Sequence, residues 1–117
     1  LGTCYSGVYG EHQNNPASCH LKDVGPIPVG TYVIGPAFDS ISHGPFCLPL
    51  IPDPSNEMYG RSSFLVHGER KSPAALGHAS HGCIIALPGI RHEIARSGDI
   101  LLRVVTSLQD LILSTST

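Results

Sequence analysis

Apolar residues in this chain fall in short runs of strand length, separated by glycine, proline and small polar residues. Thr31-Tyr32-Val33-Ile34 is β-branched and aromatic and predicts a strand. It is fed by the turn Gly25-Pro26-Ile27-Pro28-Val29-Gly30 and stopped by Gly35-Pro36. Ser62 to His67 predicts a second strand, stopped by Gly68, and Ile100 to Val105 a third. Weaker patterns lie within residues 2–10, around Tyr5 to Tyr9, and at Cys83 to Leu87. The apolar run Phe46 to Ile51 is broken by Pro49, which donates no ladder bond, so a strand there is expected at an edge or a bulge. One segment changes period. Ile90 and Ile94 share a face, Pro88 sits near the start and Gly98 supplies a stop, which predicts a short helix over 88–97. Residues 11–25, 52–56 and 69–79 read as loops. Leu108, Leu111 and Ile112 stand at helical spacing in a tail that either docks as a last turn or frays.

Several short strands with one helix imply a mainly β fold, a sandwich or a partly closed barrel. A length of 117 residues fits a single domain, 1–117. Thirteen Gly and ten Pro reinforce short strands over a helical bundle, since both residues interrupt helices. The net charge of −2 comes from seven basic and nine acidic residues without runs, which argues against nucleic acid or an anionic membrane surface as partner. No apolar run approaches the roughly 20 residues of a membrane span, and no signal-peptide pattern is visible in the first residues. A monomer is the expected state.

The candidate chemistry lies in Ser80-His81-Gly82-Cys83-Ile84 and the upstream His67-Gly68. A thiol attacks a carbonyl as its thiolate, and a nearby imidazole is the usual means of making one. If 81–83 is extended, His81 and Cys83 lie roughly 6.6 Å apart along one strand, long for direct proton transfer. A residue on a neighbouring strand comes closer, at about 4.5–5.5 Å between Cβ atoms. His67 is therefore the expected general base, and His81 shapes the pocket, binds substrate or orients the base. The N–H groups of Gly82 and Cys83 are the expected oxyanion donors. The other cysteines are Cys4, Cys19 and Cys47. Two readings stay open: a Cys4–Cys19 bridge closing a polar loop in an oxidising compartment, or four reduced thiols. His12, His20, His43, His78 and His92 read as surface or loop residues.

The His-Gly, loop, Ser-His-Gly-Cys arrangement resembles the signature of L,D-transpeptidases. The closer resemblance is to the type VI secretion L,D-transpeptidase effectors, carried by Gly25-Pro26-Ile27-Pro28-Val29-Gly30-Thr31-Tyr32, His67-Gly68, Gly82-Cys83-Ile84, Ile90-Arg91 and Ser97-Gly98-Asp99. It covers about residues 25–105, with 1–24 as an N-terminal strand and loop and 106–117 as a tail. It implies an L,D-transpeptidase-like β fold with one short helix after the catalytic cysteine. It implies Cys83 as nucleophile and His67 as base, acting on peptidoglycan tetrapeptide stems as an L,D-carboxypeptidase, exchanger or cross-linker, with no metal or organic cofactor. It also implies an antibacterial toxin that acts in the target periplasm and is matched by an immunity protein. Ser80, Gly68, Tyr32, Arg61 and Arg70 are the expected substrate contacts. Ile85 and Ala86 stand where many L,D-transpeptidases carry Arg or Asn after the cysteine, so that contact falls to Arg61, Arg70 or Arg91. Three rivals remain: a zinc site from His67, His78, His81 and Cys83; a papain-like hydrolase, disfavoured because the cysteine follows the histidine; and a non-catalytic wall-binding module.

Overall fold

The computed structural model describes residues 2–69 and 77–107. Arg70, Lys71 and the tail positions Leu108, Leu111 and Ile112 lie outside the described residues. The strands are β1 (Tyr5–Ser6), β2 (Gly30–Ile34), β3 (Phe38–Ser40), β4 (Gly44–Pro52), β5 (Leu65–His67), β6 (Ile84–Ile85) and β7 (Leu101–Val104), with helix α1 at Pro88–Ser97. A 3-10 turn at Pro16–Ser18 is capped by the Asn15 side chain. The seven strands form one curled, half-barrel sheet in the order β1-β6-β5-β4-β2-β7, with β3 paired to β4. The fold is mainly β with one helix, as the short-run pattern implies. Pairing is antiparallel throughout, except that β5 and β6 run parallel.

The local chemistry of α1 follows its sequence. Pro88 opens it, needing no N–H in the first turn. Gly98 closes it at φ 75°, a left-handed geometry that a Cβ would oppose. Ile90 and Ile94 pack on the core.

Of the two places expected for the 46–51 segment, an edge or a bulge, the edge is not found, whereas β4 does shift register against β3 between Gly44 and Cys47, at the start of the segment. The segment belongs to β4, which is an interior strand and the longest, not an edge. Leu48 and Pro49 pair with β5, whereas Leu50 to Pro52 pair with β2, so Pro49 sits where the strand passes from one neighbour to the next. The Pro49 carbonyl accepts from Gly35 N–H at 2.9 Å, and the next N–H, of Leu50, donates to Phe64. The missing proline donor is thus confined to the handover.

The core gathers Ile27, Tyr32, Leu48, Leu50, Phe64 and Val66 between the curled sheet and α1. Tyr32 is fully buried, and its hydroxyl donates to the Pro28 carbonyl at 2.7 Å. The opposite face of the β4-β2-β7 side is bare: Ile51, Val33 and Leu101 form one register row and all three are exposed. Among the described residues no helix is long and apolar enough to cross a membrane.

Candidate active site

β5 and β6 place the two candidate reactants. Val66 is the register partner of Ile84, and His67 that of Ile85. One step back, Leu65 stands opposite Cys83, and its N–H donates to Cys83 Sγ at 3.4 Å. Period-2 alternation then puts the His67 and Cys83 side chains on one face of adjacent strands. They are diagonal neighbours, at about 7–8 Å between backbone positions, within reach of a ring. The expectation from sequence was a direct cross-strand pair; the parallel register offsets it by two residues. Both side chains line one groove of about 210 Å³, together with Arg61, His81, Lys22 and His43.

His67 is buried, and its Nδ1 lies 3.0 Å from the Gly68 carbonyl. A carbonyl can only accept, so Nδ1 carries the proton and Nε2 keeps the lone pair. Burial pushes the His67 pKa below its ordinary 6.5; the Gly68 carbonyl opposes this, and His43 and Arg91 add to it. Burial pushes the Cys83 thiol up, against the Leu65 N–H and Arg61, which favour the thiolate. Both shifts favour a neutral resting pair, thiol beside imidazole.

The loop before the sulfur is held by hydroxyls. Ser80 is 1% exposed. Its Oγ accepts from Gly7 N–H at 2.9 Å and Gly82 N–H at 3.0 Å, and donates to the Cys83 carbonyl at 2.6 Å. These three bonds use the whole capacity of a hydroxyl. Ser6 Oγ donates to the Gly82 carbonyl at 2.7 Å and accepts from Ile27 N–H. Ser80 therefore shapes the loop, and the Gly82 N–H, expected as an oxyanion donor, is spent on Ser80. Of the two expected donors, the Cys83 N–H is the one left without a side-chain acceptor. Gly82 adopts φ 146°, and a Cβ there would lie 2.5 Å from Arg61 Nη2.

A model of the Tlde1 domain matches residues 2–105. The chain belongs to the Tlde1 domain family. This is a family of type VI secretion effectors with an L,D-transpeptidase-like fold. No curated protein and no solved structure matches the chain.

The match takes in the N-terminal residues, and the structure gives the Tlde1 domain a reason to include them: β1 pairs directly with β6, beside the cysteine. The remaining expected site residues lie as follows. His81 is exposed at the groove rim, its Nδ1 3.2 Å from the Asp23 carbonyl. Arg61 lines the groove, but its Nη1 donates to the carbonyls of Cys19 and Pro26 and its Nη2 to those of Gly25 and His81. All four Nη protons are thereby committed to main chain. Tyr32 lies in the core and is not among the groove-lining residues. Gly68 packs against buried Arg91, and a Cβ on it would meet Arg91 Nη1 at 2.6 Å. All four cysteines are free, Cys4 exposed and Cys19 buried, so the Cys4–Cys19 bridge is not formed. Among the described residues no three His, Cys, Asp or Glu side chains converge as a metal site, and His78 stacks on Tyr9 instead.

Sequence reasoning missed two groove features, His43 and Lys22. His43, read as a turn residue, is carried by the β3–β4 turn to 4.8 Å from the His67 ring. Lys22 also lines the groove, whereas Arg91, one of the expected contacts, lies beneath Gly68 and is not among the groove-lining residues. Neither His43 nor Lys22 has a local signal; each depends on a distant segment folding back.

Proposed function

We propose that this Tlde1 domain is a cysteine acyl-transfer enzyme acting on peptidoglycan tetrapeptide stems. The single observation that carries the reading is the groove shared by Cys83 and His67, with Nδ1 of the imidazole committed to Gly68 and Nε2 left basic. Cys83 Sγ attacks the carbonyl that joins the diamino residue to the terminal D-alanine, and Nε2 takes the thiol proton. The Cys83 N–H faces the oxyanion. The C–N bond then breaks, the imidazolium protonates the leaving amine, and D-alanine departs. The thioester is resolved by water, a D-amino acid or a stem amine, whose proton passes to His67 and then back to the sulfur. The three outcomes are carboxypeptidase action, exchange and cross-linking. Trimmed or capped stems are lost as cross-linking donors, which suits an antibacterial toxin delivered to the target periplasm and matched by an immunity protein. The domain acts as a monomer and its chemistry calls on no cofactor.

Mass spectrometry of muropeptides tests this. Parent protein converts tetrapeptide to tripeptide stems or exchanges their last residue, and Cys83→Ala abolishes the change while remaining folded. An unchanged profile with folded, reduced parent protein overturns the reading. A Cys83→Ala protein as toxic as the parent favours a wall-binding module.

A further inference from the structure

Arg61 and Arg91 are the buried cationic side chains among the described residues, and His67 is the buried imidazole. Each sits in space vacated by a glycine beside a reactant. Arg61 Nη2 lies where a Cβ on Gly82, next to Cys83, would be, and Arg91 Nη1 where one on Gly68, next to His67, would be. Neither has a carboxylate within ion-pair distance among the described residues. Arg61 is satisfied only by carbonyls and by the Phe64 ring at 5.1 Å. Arg91 makes one bond, to the Ala86 carbonyl at 3.2 Å, and its Nε is buried with no partner. A buried, unneutralised cation costs stability. Arg61 lines the groove beside Cys83 and Arg91 sits behind Gly68 beside His67, and among the described residues no paired carboxylate neutralises either, Asp23 acting on Arg61 only from beyond ion-pair distance.

We propose that Arg61 and Arg91 are a pair of positioning cations, one behind the nucleophile and one behind its base, whose joint field stabilises the sulfur as an anion and keeps the imidazole neutral until the thiol proton arrives. The same field favours the oxyanion that follows. Other charged or titratable groups face the pair as well. Toward Cys83 these are Cys47 on β4, His43 on the β3–β4 turn, Lys22 and Asp23 on the 19–25 turn, and His81 on its own loop. Toward His67 they are His43 and Glu69, with Cys47 one step along the β4–β5 ladder. None of these is a buried fixed charge. Arg61 favours the Cys83 thiolate and Arg91 disfavours the His67 imidazolium, in the directions the proposal needs.

The proposal rests on the acyl-transfer reading of the groove, yet it can be measured without substrate. Iodoacetamide alkylation of Cys83 is followed against pH by peptide mapping, which separates it from exposed Cys4. Arg61→Met raises the apparent thiol pKa by about one unit, roughly a tenfold slower reaction at pH 7. Arg61→Lys keeps the charge with fewer bonds and stays within about threefold of the parent. Arg91→Met moves the His67 NMR titration midpoint upward, and Arg91→Lys leaves it in place. A folded Arg61→Met with the parental alkylation profile overturns the proposal, as does Arg61→Lys slowed as much as Arg61→Met. If Arg61→Met does not fold, the His67 midpoint in Arg91→Met decides, and no change there overturns it. A parent protein that shows these shifts but leaves stems untouched removes the enzyme reading and leaves the paired field standing.

Discussion

The two ends of the sheet are held together by different means. On the β2-β4-β7 side, β2 pairs with β7 over four consecutive residues and with β4 over three, and apolar side chains close the core beneath. On the β1-β6-β5 side the strands are two or three residues long. There the backbone is held by side chains: Ser6, Asn14, Ser80 and Arg61 all bond to main-chain groups around the cysteine loop. A ladder spreads its support over many equivalent bonds. A hydroxyl that makes three bonds concentrates it in one atom. The groove sits on the concentrated side, so single polar residues decide its shape while the far side tolerates change.

The largest effect that would sharpen this contrast is chemical. His67→Ala removes the proposed base and is expected to lower D-alanine release about 10²–10⁴-fold, with the urea midpoint measured alongside. In the parent, the depressed His67 pKa keeps the base neutral at lower pH, so the acid limb of kcat/KM falls below the ordinary 6.5. A limb at or above that value would contradict a buried, unprotonated imidazole. Next comes Ser80→Ala, which strips partners from the Gly7 and Gly82 N–H groups and the Cys83 carbonyl. At roughly 1–3 kcal/mol per buried group left unpaired, urea unfolding loses about 3 kcal/mol or more, and alkylation of Cys83 changes with it. A loss under about 1 kcal/mol would break the comparison. Tyr32→Phe deletes one buried bond to Pro28 and costs about 1 kcal/mol, with kcat/KM unchanged if Tyr32 is core alone; a fall in kcat/KM would return it to the substrate site. Val33→Thr, on the bare face, stays within about 0.5 kcal/mol in urea and at parental activity. A larger loss would mean that this face is engaged.

What could be read from the residues was what they encode locally. Pro88 and Gly98 bracket α1 by their own backbone preferences, and β2 and β7 announce themselves by branched and aromatic runs. The cysteine loop stood out because Ser80, His81, Gly82 and Cys83 are contiguous. What could not be read depends on partners far along the chain. Pro49 argued for an edge or a bulge because nothing local reveals that β4 changes neighbours at that residue. The parallel pairing of β5 with β6 shifts His67 off the direct register, and no spacing rule gives that offset. Arg61 read as a substrate contact, because its four carbonyl partners come from residues 19–26 and 81. His43 had no reason to matter until the β3–β4 turn brought it beside His67.

The bonds from Ser6 to Gly82 and from Gly7 to Ser80 join positions 76 and 73 residues apart. Closing such long loops is entropically costly until most of the molecule has already assembled. The surroundings of the sulfur are thus completed late, when the N-terminal strand reaches residues 80–82.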